Sequence, residues 1–249
     1  LVTFIIPLNL VLDIGNTRVK AALFDGDRIA ELKYFGSQDE VWNDIGFIRQ
    51  ARAAMIGSVV NDTGRLADKL STVFPVYLFS SDTRIPLENL YQSASTLGSD
   101  RLAASIGAYV LYPDADVLVV DAGTCIKYNF TNAANQYLGG GISPGLAMRF
   151  KALHHYTGKL PLIEPNSETV ELIGRDTRHS ILSGVIAGSV AEIDGIIARY
   201  REQYPGLIAV ISGGDSEYLA KQLKSSIFTH QNLVLKGLNH SLNCTNPLP

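Results

Sequence analysis

Short apolar runs closed by turn residues alternate with stretches whose apolar positions recur every three or four residues, the grammar of a chain that alternates strand and helix. Asn9 to Leu12 predicts a strand that empties into Asp13-Ile14-Gly15-Asn16-Thr17, and Val19 to Phe24 predicts the next. Asp25-Gly26-Asp27 reads as a hairpin turn before a third strand, Arg28 to Phe35. Ala53 to Val59 and Val76 to Phe79 read as short buried strands. Between them Thr63 to Phe74 is an amphipathic helix with Leu66, Leu70 and Val73 on one face. Arg101 to Leu111 continues as an apolar, alanine-rich helix that Pro113 stops.

The second half repeats the plan. Val117 to Asp121 and Ile126 to Phe130 predict strands, and Tyr137-Leu138 leads into the glycine run from Gly139 to Gly145. Asp176 or Thr177 can cap a long helix that reaches about Tyr204 and ends at Pro205-Gly206. Ser180, Gly184, Gly188 and Ala191 form a stripe of small residues on it, suited to close packing inside the core, the first expectation, or across a dimer interface. Leu207 to Ile211 is a buried strand that runs into Ser212-Gly213-Gly214-Asp215.

The exit Asp13-Ile14-Gly15-Asn16 has a counterpart in Asp121-Ala122-Gly123-Thr124: an apolar strand, then Asp, an apolar residue, Gly, and an amide or hydroxyl side chain. The chain therefore reads as two similar halves, residues 1–113 and 114–249, each a mixed α/β sheet flanked by helices, with loops converging where strands end. At 249 residues and 46% hydrophobic it is long and apolar enough to build such cores and to exclude disorder. With 21 basic and 24 acidic residues, a formal charge of −3 leaves no dominant surface for nucleic acid or acidic membrane, and a small-molecule partner is expected. Two cysteines, Cys125 and Cys244, form neither a disulfide framework nor a metal-ligand spacing, which fits a reducing cytoplasm. The apolar opening, Leu1 to Leu12, lacks a basic leader region, and no stretch offers ~20 uninterrupted apolar residues.

The chemistry concentrates at the strand exits. Gly15 lets backbone amides approach phosphate oxygens, Asn16 and Thr17 supply side-chain hydrogen bonds, and Asp13 can hold a hydrated Mg²⁺. This is a phosphate-binding turn without a G-x-x-x-x-G-K-[ST] loop. Asp121-Ala122-Gly123-Thr124 offers the same chemistry, so the two would clamp a polyphosphate. His154-His155 shows no carboxylate at metal-site spacing and reads as surface. Cys125 reads as a small buried filler.

Asp13-x-Gly15-Asn16, Gly98-x-Asp100-Arg101, Asp121-x-Gly123-Thr124 and Gly139-Gly140-Gly141-Ile142-Ser143-Pro144-Gly145 stand in the order and spacing of the type III pantothenate kinases, which the chain resembles from about Leu10 to Gly214. Those proteins belong to the acetate kinase, sugar kinase, Hsp70 and actin superfamily, so the resemblance implies duplicated ribonuclease-H-like domains of the actin-like ATPase kind. It implies phosphorylation of (R)-pantothenate by ATP with Mg²⁺, at the entry to coenzyme A synthesis, by a cytoplasmic homodimer. Asp100 would be the general base. Tyr91, Gly98, Ser99, Asp100, Arg101 and Thr177 would bind pantothenate, Arg101 through its rigid donor fork.

The resemblance assigns ATP to the turn Asp13, Ile14, Gly15, Asn16, Thr17, Arg18, Val19 and Lys20, and to Thr124. Ser212 to Asp215 resembles the superfamily's adenosine loop. Asp121 matches a ligand for a monovalent cation, K⁺ or NH₄⁺. Here the chain departs from its relatives: Cys125, Lys127 and Asn129 stand where alanine, threonine and aspartate are common, which points to an altered cation affinity. Ser95 likewise replaces a common proline. Two other readings share the same clamp: a kinase of another small alcohol or carboxylate, and a non-enzymatic nucleotide-sensing module. The substrate constellation of Tyr91 with Gly98-x-Asp100-Arg101 argues against the second, since a pure switch does not need it.

Overall fold

The computed structural model describes residues 8–60, 63–80, 82–164 and 170–247; Leu1 to Pro7 of the apolar opening lie outside them. The chain begins with β1 (Leu8–Ile14), β2 (Val19–Asp25) and β3 (Arg28–Phe35), then α1 (Gln38–Asn43) and α2 (Ile45–Ile48). Next come β4 (Ala51–Ser58), α3 (Gly64–Ser71), β5 (Val76–Leu78), β6 (Glu88–Asn89) and α4 (Ser99–Leu111). The second half runs β7 (Val117–Ala122), β8 (Cys125–Thr131), β9 (Gln136–Pro144) and α5 (Leu146–His155). A nearly continuous helix follows: α6 (Thr177–Leu182), a π-helical turn (Ser183–Ala187) and α7 (Gly188–Gln203). β10 (Ile208–Ser212), α8 (Ser216–Ala220), β11 (Phe228–Thr229) and α9 (Leu233–Thr245) complete it.

Two compact units result. The first takes in the described residues up to Asp114, with Ala134–Leu138 and the chain from Asn232 onward; the second is Ala115–Ala133 with Gly139–Gln231. The first sheet has the order β3-β2-β1-β4-β5, antiparallel across β3-β2-β1 and parallel across β1-β4-β5. In the second unit the order β9-β8-β7-β10-β11 repeats it strand for strand, with β7-β8 antiparallel and β7-β10-β11 parallel. The duplication read from two Asp-x-Gly exits, and the ribonuclease-H-like fold implied by the family resemblance, are therefore present in the sheets themselves.

Alternation along β1 buries both faces of the first sheet. Leu10, Leu12 and Ile14 join a core with Val41, Phe47, Leu66 and Leu70, while Val11 joins a second core with Met55, Leu102, Ile106, Leu235 and Leu238. α4 and α9 form that second layer backbone to backbone. A Cβ on Gly107 would lie 2.1 Å from the Leu233 carbonyl oxygen, and one on Gly237 would lie 1.8 Å from that of Ala103, so only glycine permits this approach. The halves 1–113 and 114–249 differ from these packed units in two main respects: the C-terminal helix returns to α4, and Ala134–Leu138 also packs with the first unit.

Two local expectations change. α3 ends at Ser71, so Val73 falls in the following turn at 49% exposure, and Phe74 is buried instead. The glycine run itself is strand, part of β9 as far as Pro144. The small stripe Ser180, Gly184, Gly188 and Ala191 faces outward, because Ile181, Leu182, Val185, Ile186, Ile193 and Ile197 claim the core side of the helix. The run Thr177–Gln203 is long and apolar enough to cross a membrane by length and composition. Those six side chains account for that character as the core of the second unit.

Candidate active site

In the first unit the exit from β1 is a four-residue turn, closed by the Gly15 amide donating to the Arg18 carbonyl at 3.1 Å. Ile14 and Val19 are its buried posts, and Asn16, Thr17 and Arg18 stand in solvent, Arg18 lying 4.8 Å over the Tyr34 ring. Strand alternation puts Asp13 on the Val11 face of the sheet, the face that α4 covers. A cavity of about 320 Å³ adjoins the same turn, but its wall is completed by Gly36, Ser37, Asp39, Val60 and Arg65 and includes neither Asp13 nor Asp100. That cavity belongs to the α1–α3 side, away from the carboxylates.

α4 is docked to the same sheet edge. The Ser99 hydroxyl donates to the Ser58 carbonyl at 2.7 Å, and Ser58 pairs in parallel register with Ile14. One bond thus ties the first turn of α4 to the end of β4 beside the exit of β1, bringing Asp13 and Asp100 to one end and one face of the unit. The Asp100 carboxylate accepts from the Arg101 amide at 2.8 Å. A Cβ at Gly98 would come within 2.7 Å of that carboxylate's Oδ1, so Gly98 is what leaves Asp100 its place at the helix start.

Arg101 is only 5% exposed, its guanidinium 5.4 Å over the Tyr91 ring and donating to the Tyr91 hydroxyl at 3.5 Å. β6 pairs with Gln136 and Tyr137, and the Tyr91 amide donates to the Asn89 side chain at 3.1 Å. Tyr91 also rests against Tyr137 at 6.2 Å. A withdrawn guanidinium positioned over an aromatic ring has the donor chemistry to bind a carboxylate. Tyr91, Gly98, Ser99, Asp100 and Arg101 therefore lie together within the first unit.

In the second unit β7 and β8 are joined by a tighter turn, the Gly123 amide donating to the Cys125 carbonyl at 3.0 Å and leaving Thr124 exposed. Asp121 and Lys127 are register partners, and the Lys127 ammonium stands 2.7 Å from the Asp121 carboxylate, their side chains 18% and 13% exposed. The Asp215 amide donates to the Ala122 carbonyl at 3.0 Å, which brings Ser212 to Asp215 beside this exit; burial pushes the Asp215 carboxyl upward. Cys125 is only partly covered, its Sγ 3.8 Å from the Met148 sulfur, so it is no buried filler. His154 and His155 are exposed, and no cluster of three metal-ligating side chains occurs among the described residues.

Thr177 opens α6, exposed, and the cap is Asp176, whose carboxylate accepts from the His179 amide at 2.9 Å. A network that sequence reasoning missed secures the glycine strand. Glu192 accepts from Tyr128 at 2.9 Å and from Arg149 at 2.5 Å, and Arg149 also donates to Ser143 at 2.6 Å. Burial opposes the charge on Glu192, yet the Arg149 guanidinium and the Ser143 and Tyr128 hydroxyls together hold its carboxyl below the usual range. The only prior signal was an arginine shortly after Ser143-Pro144-Gly145.

A family model described as "Type III pantothenate kinase" matches residues 9–199. The type III pantothenate kinase of Bacteroides fragilis ATCC 25285 is 42% identical over 245 residues, covering 96% of this chain and 99% of that one. The Flavobacterium johnsoniae protein of the same description is 39% identical, with 93% and 96% covered. Among solved structures, a conserved Baf-family protein from Campylobacter jejuni superposes with a TM-score of 0.67 at 20% identity, covering 96% of this chain and 100% of that one.

Proposed function

The chain belongs to the type III pantothenate kinase family, and from that premise we propose how its residues perform the family's reaction. The chain catalyses the ATP-dependent phosphorylation of pantothenate, giving 4′-phosphopantothenate and ADP, the entry step to coenzyme A. The observation that carries the residue assignment is the Ser99–Ser58 bond, which sets the first turn of α4 beside the β1 exit. Arg101 holds the pantothenate carboxylate with its fork, Tyr91 walls the pocket, and the Gly98-Ser99 backbone lines it. Asp100 accepts the proton of the primary hydroxyl as that oxygen attacks the γ-phosphorus and ADP departs.

Such a base contributes ~10²–10⁴-fold, while alignment and charge stabilisation supply most of the acceleration in phosphoryl transfer. The turn Asp13 to Lys20 supports a phosphate role through its Gly15 amide, its exposed amide and hydroxyl side chains, and a carboxylate at the strand exit. Thr124 is an exposed hydroxyl at the second exit, suited to a hydrogen bond with nucleotide. Asp13 suits Mg²⁺ held through water, which when bound neutralises phosphate charge. The monovalent cation implied at Asp121 does not fit that residue as this chain builds it, because Lys127 already stands on the carboxylate.

A homodimer through the outward stripe of α6 and α7 would give Ser180, Gly184, Gly188 and Ala191 a partner and place Thr177 near a substrate pocket. The two free cysteines agree with a cytoplasmic enzyme. Substituting Asp100→Asn tests the mechanism: pantothenate-dependent ADP release should fall ~10²–10⁴-fold while calorimetric ATP binding persists. Undiminished turnover would remove Asp100 as the base.

A further inference from the structure

Ile126, Tyr128 and Phe130 of β8 point into the core of the second unit, as do Leu118, Val120 and Ala122 of β7. Strand alternation therefore sends Lys127 and Asp121 together to the opposite face. They are direct cross-strand partners, so the four-carbon stem of Lys127 spans one inter-strand gap and sets its ammonium 2.7 Å from the carboxylate. With side chains only 18% and 13% exposed, each charge is largely withdrawn from water, a condition that favours a lasting pair over a passing surface contact.

We propose that Lys127 is a tethered replacement for a monovalent cation at Asp121, so that this kinase turns over without K⁺ or NH₄⁺. A free cation seeking Asp121 would meet an ammonium of the same charge already on the carboxylate. An ammonium acts on phosphate as a compact point charge, so Lys127 brings to this exit the positive charge that a bound cation would otherwise supply. A tethered cation also has an effective concentration that no buffer sets. The inference rests on the kinase reading above, and it concerns the electrostatics of nucleotide binding, which can be measured without pantothenate.

The experiment compares NaCl, KCl, NH₄Cl and choline chloride at one ionic strength, reading both pantothenate-dependent ADP release and ATP affinity by calorimetry. The native chain should vary less than about 2-fold across the four salts in either readout. Lys127→Ala should lose at least about 10-fold in ATP affinity and turnover in choline, and K⁺ or NH₄⁺ should restore most of it. Lys127→Arg, which keeps a tethered charge, should stay indifferent to the salt, and melting temperatures confirm that each variant is folded.

Stimulation of the native chain by K⁺ of 10-fold or more would overturn the proposal. So would a folded Lys127→Ala whose ATP affinity is native-like in choline, or whose loss no cation repairs. If no salt supports pantothenate phosphorylation, the kinase reading fails, while the salt dependence of ATP binding still decides the role of Lys127.

Discussion

Asp13 and Asp121 end equivalent strands of two equivalent sheets, and each stands opposite a lysine on the next antiparallel strand, Lys20 and Lys127. The connections differ by one residue. Ile14 and Val19 bracket residues 15–18, whereas Ala122 and Ile126 bracket residues 123–125. The longer turn presents Asn16, Thr17 and Arg18 to solvent; the shorter one presents Thr124 and a carboxylate neutralised by Lys127. A duplicated fold thus supplies two matching positions, and the turns decide what chemistry each holds. The backing differs as well. α4 meets α9 at glycine distance, while the helix from Thr177 to Gln203 turns its small residues outward.

The largest expected contrast lies between the turns. Asp13→Ala should reduce kcat/KM for ATP roughly 10²–10³-fold through lost electrostatic stabilisation, and Thr124→Ala only about 5–10-fold, the worth of one hydrogen bond. Equal losses would break the distinction between the two exits. Next is the ion pair. Asp121→Ala takes this carboxylate from the largely buried Lys127 ammonium and should cost roughly 2–4 kcal/mol in urea unfolding, around the lower limit of the buried-pair range because both groups keep some solvent. Adding Lys127→Met should recover most of that loss, and a double variant no more stable than the single one would refute the pairing.

The helices come third. Gly237→Ala forces a methyl into the Ala103 carbonyl and should destabilise by about 1–3 kcal/mol, whereas Gly64→Ala at the start of α3, with open space around it and outside the proposed dimer stripe, should be neutral or stabilise by up to about 1 kcal/mol. Thermal melts separate the two. The smallest effect concerns Glu192, whose folded carboxyl is held below its ordinary value. Its contribution is present above the unfolded pKa and is lost as pH falls through the lower folded value. Arg149→Met should therefore be about 1 kcal/mol less stable than the native chain at pH 7, with the gap closing below about pH 4. A gap that stays constant across pH would assign the loss to packing alone.

Most of both sheets was legible because strand exits carry their own punctuation: Asp-x-Gly twice, and Asp25-Gly26-Asp27 at a hairpin. α9 was not, because its buried face mixes Leu235, Leu238 and Leu242 with Gly237, Asn239 and Ser241, which blurs the apolar period. Asn239 is buried since it accepts from Asn9 at 2.9 Å and donates to the Gly26 carbonyl at 2.9 Å, partners more than 200 residues away that no local pattern reveals. The pocket residues Tyr91 and Arg101 were found by motif, but their stacking depends on β6 pairing with a distant strand. Lys127 stood out as a departure from its relatives; only the register of β7 and β8 showed where its charge goes.

The most direct measurement is ³¹P NMR of the purified protein with ATP, Mg²⁺ and pantothenate in a choline buffer free of K⁺ and NH₄⁺. The account predicts a phosphomonoester of pantothenate growing in step with ADP, at a rate that added KCl leaves within about 2-fold. ATP consumed without that product, or no product until K⁺ is added, would contradict it.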